Sequence, residues 1–185
     1  MRRTEGFSLI ELLIVVAVLL IIAAIAIPSL LRSRIAANEA SAVGSLRSLA
    51  TANATYATIY AVGYAGDLNH LGPPAVPPAD ATHADLLDSA ISGGCPTACT
   101  SNSATKSGFN FTYRAPNAAP TTATPNNTYT TVAVPILIGN TGTSTFCVDQ
   151  TNVILKDIAI GGGNTSANGN GCRVDGWVGA TIAPI

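Results

Sequence analysis

The sequence predicts an α+β fold: a long N-terminal helical spine, membrane-spanning in its first half, packed through its second half on a small antiparallel β-sheet. Three observations predict it. Residues 12–31 form an uncharged apolar run, long enough to cross a bilayer's hydrocarbon core as one helix. A helical apolar stripe follows, and after it come short alternating segments separated by Gly, Pro and Asn. A helix followed by consecutive strands is typical of α+β proteins.

The apolar run has one acid near its start, Glu11, and a short polar segment before it that carries Arg2 and Arg3. An ionisable side chain is costly in lipid, so it usually has a function and a partner. This layout is typical of a trimmed leader that precedes a membrane helix.

The segment that begins the run, GFSLIELLIVVAV, together with Pro28, resembles the N-terminus of type IV pilins and of the related pseudopilins of type II secretion. In that family a leader peptidase cuts after the Gly and methylates the new N-terminal Phe. The resemblance implies that Gly6 ends the leader and that Phe7 begins the mature chain. It also implies that Glu11 is the acid used in filament assembly and that Pro28 is the helix kink.

The same resemblance implies a division of the chain into a leader (1–6), a hydrophobic transmembrane and assembly half of the helix (7–31), and an extracellular globular domain (32–185) that includes the amphipathic half of the helix. The implied partners are other copies of the chain in a helical homopolymer, the prepilin peptidase and the pilus assembly machinery. The precursor is expected in the inner membrane and the assembled chain in an extracellular pilus.

Two simpler interpretations of the N-terminus remain to be weighed. An ordinary secretory signal could be cut after Ala26, but an acid does not belong in the apolar region of a signal, and the run leads into more helix-favouring sequence. A plain single-pass anchor explains the length of the run. It explains neither the Gly6-Phe7 junction nor Glu11.

After Pro28, residues 29–61 predict an amphipathic continuation of the helix. The apolar stripe is made of Val43, Leu46, Leu49, Ala50, Ala57 and Tyr60 or Ala61, whereas Arg32, Arg34, Glu39, Arg47 and Asn53 are expected off it. Gly63 and Gly66 are expected to end the helix. A short helix capped by Asp80 is predicted within residues 80–91.

The remaining chain predicts strands. Phe109, Phe111 and Tyr113 alternate with polar residues, and residues 129–138 form a second strand in which Pro135 suggests an edge or a bulge. Residues 143–148 and 153–156 predict a hairpin that turns at 149–152. Loops are expected at 116–127 and 161–171, and a last strand is expected around Trp177.

Four cysteines, Cys95, Cys99, Cys147 and Cys172, all follow the membrane segment, on the side where disulfides persist. Three pairings are possible, and we favour Cys95–Cys99 with Cys147–Cys172. The spacing of Cys95 and Cys99 is not that of a C-x-x-C redox motif.

Composition and motifs favour a structural role. The net charge is −1 with 10% charged residues, which gives no indication of nucleic-acid binding. We expect no catalytic residue, metal or cofactor: His70 and His83 are expected to be solvated, and Asp80, Asp85 and Asp88 to form a solvated face. The leading hypothesis is a structural subunit of a type IV pilus. A pseudopilin or minor pilin, and less so a membrane-anchored enzyme or binding domain, are the alternatives.

Overall fold

The structure, a computed structural model, describes residues 8–93, 102–158, 163–179 and 181–185. It contains one long helix, α1 (Leu9–Tyr60), a 3₁₀ helix (Asn69–Leu71) and six strands: β1 (Ser103–Lys106), β2 (Phe109–Arg114), β3 (Thr130–Pro135), β4 (Thr145–Asp149), β5 (Leu155–Asp157) and β6 (Ile182–Pro184). The strands form one antiparallel sheet in chain order. The predicted α+β class is confirmed. The chain divides into two compact units, 1–34 and 35–185, and α1 contributes residues to both.

One face of the sheet packs on the part of α1 that lies in the second unit. The alternation predicted for β2 is confirmed, because Phe109, Phe111 and Tyr113 are all fully buried. Leu46 and Leu49 from the predicted apolar stripe of α1 are buried in the same core. The helical spacing of apolar residues in α1 and their alternation in β2 therefore place large apolar side chains on facing surfaces.

Asn53 was expected to be off the stripe, and that prediction is wrong: the residue is fully buried. Its Oδ1 accepts the Ala65 N–H at 3.2 Å and lies 2.9 Å from the Tyr113 hydroxyl, while its Nδ2 donates to the Leu49 carbonyl at 3.2 Å. The Tyr113 hydroxyl also donates to the Ala65 carbonyl at 2.7 Å. A buried amide is tolerated when its polar atoms have partners, and here it joins α1, the segment after it and β2.

Glu39 was also expected off the stripe, but it ties α1 to the β3–β4 connection. One carboxylate oxygen accepts the backbone N–H and hydroxyl of Thr143, both at 2.8 Å, and the Ser144 N–H at 3.1 Å. The other lies 3.3 Å from Lys156 Nζ. Burial raises the pKa of Glu39, but the Thr143 hydrogen bonds and the Lys156 charge outweigh it, so this pKa lies below its ordinary value.

The helix ends before the glycines that were expected to end it. Ala61 already has a left-handed φ of 55°, and Gly63 has a different role. A Cβ on Gly63 would lie 2.1 Å from the Asn126 carbonyl oxygen. Asn126 holds this segment to the 116–127 loop, since its carbonyl accepts the Tyr64 N–H at 2.8 Å and its N–H donates to the Val62 carbonyl at 3.2 Å.

The short helix predicted within residues 80–91 is wrong, because turns occupy that stretch. The Asp80 carboxylate accepts the hydroxyl of Thr82 at 2.6 Å and the N–H groups of Thr82 and His83 at 2.8 and 3.0 Å, and so closes a tight turn. These bonds, led by the Thr82 hydroxyl, lower the pKa of Asp80. The local hydrogen bonds of an Asp compete with helix formation in this way.

The two histidines are not the solvated loop residues that were expected. His70 Nδ1 lies 2.7 Å from a carboxylate oxygen of buried Asp67, and His83 Nε2 lies 2.9 Å from Asn69 Nδ2. Both rings therefore fix the connection that follows α1.

The other face of the sheet is covered by residues 163–179, which the Cys147–Cys172 disulfide joins to β4. Trp177 is buried against that disulfide. Turns occupy residues 172–176, so the strand predicted around Trp177 is wrong, and the last strand is β6. The Asp175 carboxylate supports the segment by accepting the N–H groups of Asn168 and Gly169 at 2.7 and 3.1 Å. The Cys147–Cys172 pairing is confirmed, whereas Cys95 and Cys99 lie outside the described residues.

Three details of the sheet differ from the prediction or complete it. Strand β1 was not predicted, because its four residues, SATK, carry little apolar alternation. Strand β3 is central rather than an edge, and Pro135 is its last residue, paired with Phe109. The predicted hairpin is confirmed as β4 and β5.

We predict that exported, unreduced protein has no thiol that reacts with an alkylating reagent, because Cys147 and Cys172 are bonded and Cys95 and Cys99 are expected to pair. Mass spectrometry before and after reduction checks this. Reduction of Cys147–Cys172 should lower the free energy of unfolding by about 3.5 kcal/mol, as expected for a loop of the size that this disulfide closes. If the reagent labels Cys95 and Cys99 but neither Cys147 nor Cys172, the Cys95–Cys99 pairing is disproved and the Cys147–Cys172 pairing stands.

We predict that Glu39→Gln lowers the free energy of unfolding of a fragment of residues 29–185 by about 1–2 kcal/mol at pH 7. Because folding lowers the pKa of Glu39 from its ordinary 4.5, the carboxylate stabilises the fold above that value, and the contribution is lost as pH falls through the folded pKa. The gap between wild type and variant should therefore shrink below pH 4.5. Urea titrations at several pH values test this, and an equal gap at every pH would contradict the ionic contribution.

Candidate assembly segment

The first unit begins with a helix cap that uses one of the predicted assembly residues. The Ser8 carbonyl accepts the N–H groups of Glu11 and Leu12 at 3.1 and 3.3 Å. In return, one carboxylate oxygen of Glu11 accepts the Ser8 N–H at 3.2 Å. This return contact, from the third helical residue to the cap, is half of a capping box. This capping role was not predicted, although the spacing Ser8-x-x-Glu11 before an apolar run could have indicated it.

The cap leaves the charge of Glu11 uncompensated by any cation that the structure describes. The Ser8 N–H is a neutral donor, and none of the ion pairs found in the described ranges includes Glu11. The positive end of the helix dipole is the nearest opposite charge, and it is a partial one. The carboxylate therefore keeps the capacity to bind a full positive charge from outside this part of the chain.

The surface of the helix that follows Glu11 is apolar and open. Every large apolar side chain within residues 9–31 is at least 42% exposed, and Leu9 reaches 82%. By length and composition α1 is able to cross a membrane, and none of its most apolar stretch is buried by the rest of the chain. A core helix of a soluble domain would be covered by its own fold, so this one needs cover from lipid or from another chain.

Pro28 lies inside α1, and the helix continues on both sides of it. Because proline has no N–H, the carbonyl of Ala24 receives no hydrogen bond from residue 28. Pro28 follows Glu11 by 17 residues, about 25 Å along a helix, so the two do not form one cluster. Gly6 and Phe7, the predicted cleavage and methylation residues, lie outside the described residues.

Within the described ranges, no group of three or more residues among His, Cys, Asp and Glu is placed to hold a metal ion. Burial raises the pKa of Tyr56 to about 12, with smaller contributions from Tyr60 and Asp67. Tyr56 donates its hydroxyl proton to the Ala81 carbonyl at 2.6 Å. A raised pKa keeps this hydroxyl neutral and suits a structural hydrogen bond.

Comparison with known proteins identifies the N-terminal segment. Residues 1–27 match the family described as the prokaryotic N-terminal methylation motif. A protein of Thermus thermophilus, described as the type IV wide pilus major component PilA4, is 56% identical over 39 residues, which is 21% of this chain and 30% of that protein. No solved structure matches the chain. The resemblance to type IV pilins and pseudopilins is thus confirmed for the N-terminal segment, with its methylation motif and transmembrane helix.

We predict that the mature protein begins at N-methylated Phe7, because the resemblance to pilins implies a cut after Gly6. Intact-mass and N-terminal peptide analysis of protein from the membrane fraction checks this. Gly6→Val should accumulate with its leader attached, since a side chain beside the scissile bond obstructs the peptidase. A mature N-terminus at Ile27 would instead mean that the segment is an ordinary secretory signal.

Proposed function

We propose that this chain is the structural subunit of a type IV pilus. It polymerises through its N-terminal helix after the leader is cut at Gly6 and Phe7 is methylated. One observation supports this above all: a methylation-motif segment presents an open apolar helix with a single carboxylate that has no cationic partner in the described chain. Such a surface suits a structural use of the chain better than catalysis.

The apolar helix has two successive covers in this proposal. Before assembly it spans the inner membrane, where lipid covers residues 9–31 and the domain lies outside. In the fibre, the same helices from neighbouring copies cover one another. Either cover keeps the large apolar side chains out of water, which is favourable by about 25 cal/mol per Å² of apolar surface. The subunit is therefore stable in the membrane and in the fibre, but not in water. Extraction by the pilus assembly machinery is then a transfer from one apolar environment to the other.

Glu11 sets the position of each added subunit. Cutting after Gly6 exposes the amine of Phe7, which is a cation and stays basic when methylated. An amine on one copy and Glu11 on its neighbour attract strongly in a low-dielectric environment, and an unpaired charge there is costly. The two groups therefore select the axial step at which both are paired, and the apolar walls pack at that step. Ser8 holds the carboxylate near the helix start until the amine arrives.

Pro28 gives the helix a point where it can loosen. The Ala24 carbonyl already lacks the hydrogen bond that residue 28 would supply, so local unwinding there costs one bond fewer than elsewhere. In the fibre, the part of α1 before Pro28 packs on neighbouring copies, whereas the part after it packs on its own sheet. A loosened turn lets the apolar half follow its neighbours without disturbing the packed half.

The second candidate is a pseudopilin or a minor pilin that primes a pilus or a secretion complex. Its N-terminus would have the same motif. The Thermus protein is described as a major pilus component, which favours the pilus subunit, although the alignment spans 30% of that protein. Abundance separates the two candidates, because a major subunit dominates fibres sheared from the cell surface. A membrane-anchored binding domain would form no fibre at all.

We predict that Glu11→Ala is made, cut and retained in the membrane but builds no fibres. Removing an acid from an apolar helix does not oppose insertion. It leaves the Phe7 amine of each neighbour unpaired at the assembly site, and breaking a buried pair in this way costs about 3–5 kcal/mol per subunit. Electron microscopy of surface fibres, with an immunoblot of the membrane fraction, measures both parts.

Glu11→Gln is the matched control, because it separates the charge from the cap. A glutamine keeps an oxygen that can accept the Ser8 N–H but cannot form an ion pair with an amine. We expect no fibres from this variant either, and few from Glu11→Asp, whose shorter side chain misplaces the carboxylate. Normal fibres from Glu11→Gln would show that Glu11 serves as a helix cap alone.

A further inference from the structure

The connection between β3 and β4 presents three consecutive apolar side chains to solvent. Ile136, Leu137 and Ile138, here called the β3–β4 tip, are 53%, 56% and 50% exposed. No charged residue occurs within residues 136–144. Most loops carry polar residues at such positions, so an apolar, uncharged tip indicates a surface that is covered in use.

Several backbone groups in and beside the tip have hydrogen-bond partners within the same unit. The Leu137 carbonyl accepts the Thr141 N–H at 2.8 Å, and the Leu137 N–H donates to the Thr141 hydroxyl at 3.1 Å. The Gly139 N–H donates to the Gly142 carbonyl at 2.8 Å, and the Ile136 N–H donates to a carbonyl in the β1–β2 turn at 3.0 Å. A segment whose polar groups are paired internally can leave water with little penalty.

The tip is joined to the start of the second unit. Asn38 Nδ2 donates to the Thr141 carbonyl at 3.1 Å, and Glu39 accepts two hydrogen bonds from Thr143 in the same connection. Asn38 follows Leu31, the last residue of the apolar run, by only seven positions. Seven residues span at most about 25 Å even when fully extended. In a membrane-anchored chain the tip is therefore held within reach of the bilayer surface.

We propose that the β3–β4 tip enters the interface of the bilayer in which the N-terminal helix is anchored, as a second lipid contact of the unassembled subunit. This rests on the membrane-anchored precursor stage of the proposed function. The tether favours lipid over a second copy, because every anchored molecule holds its tip near a bilayer, whereas a copy must supply a complementary surface. Since the tip is uncharged, it enters zwitterionic lipid as readily as anionic lipid.

The test places a tryptophan reporter on the tip of the full chain. Leu137→Trp and Ile138→Trp are made separately and reconstituted in phosphatidylcholine vesicles whose acyl chains are brominated, which quenches nearby tryptophan. Native Trp177 is 1% exposed, and the wild-type signal is subtracted as its background. The matched control is Val76→Trp, at a site that is 76% exposed. Val76 lies in a segment near the far end of α1 from the tip. It is five residues before Ala81, whose carbonyl accepts the Tyr56 hydroxyl, and Tyr56 is about 27 Å along the helix from Asn38.

We expect both tip reporters to lose emission and shift to the blue in brominated vesicles, and Val76→Trp to show neither change. The result should be the same with anionic lipid and at high salt. Co-flotation of the wild-type chain with the vesicles is scored in parallel. Flotation with unquenched tip reporters would overturn the tip contact and leave the proposed function intact. Failure to float would overturn the membrane stage itself, and the tip contact with it.

Discussion

The N-terminal apolar helix has no cover from its own fold, and this is the strongest physical constraint on how the molecule is used. Exposure of many large apolar side chains to water is unfavourable, and Leu9 and Ile25 are 82% and 73% exposed. The first unit therefore needs cover from lipid or from another chain. A single carboxylate, Glu11, interrupts that surface at its start. In the proposed fibre the apolar helices attract one another without fixing their relative position, and the Glu11 carboxylate fixes it at the cost of a buried charge.

The second unit does not depend on what covers the apolar helix. It has its own core on the helix side of the sheet, centred on residues such as Leu46, Phe111 and Tyr113. Polar side chains join its parts across long stretches of sequence, as Asn53 and Glu39 do, and the Cys147–Cys172 disulfide fastens the segment on the far face. None of these contacts uses residues 9–31. The domain can therefore keep its structure whatever covers the apolar helix, including the exchange of lipid for neighbouring helices in the proposed assembly.

Periodicity predicted the parts of the fold that depend on apolar packing. The three- and four-residue spacing around Leu46 and the alternation of Phe109, Phe111 and Tyr113 each report burial locally, and both predictions are confirmed. Polar residues with distant partners could not be predicted in this way. Asn53 is buried because Ala65 and Tyr113 bind its side chain. These partners lie 12 and 60 residues away, so no local pattern reveals them.

Two further predictions were wrong for different reasons, one distant in the sequence and one local. Trp177 is aromatic in a segment with strand-like composition, yet it covers a disulfide whose partner cysteine is in β4. Asp80 has a helix-capping sequence, yet Thr82 and His83 offer it a tighter local turn.

At the assembly segment the sequence indicated Glu11 through its cost in lipid, and it could also have shown the cap, because Ser8 and Glu11 have the spacing of a capping box.

The proposed assembly depends on the pairing of Glu11 of one subunit with the Phe7 amine of another. Cryo-electron microscopy of fibres sheared from cells that produce this chain is the decisive experiment, because the map shows which chain builds the fibre and what surrounds each Glu11. We expect a fibre made of this chain, with each Glu11 carboxylate within ion-pair distance of a neighbour's methylated Phe7 nitrogen. A fibre of this chain in which Glu11 contacts only the Ser8 N–H of its own helix would contradict it.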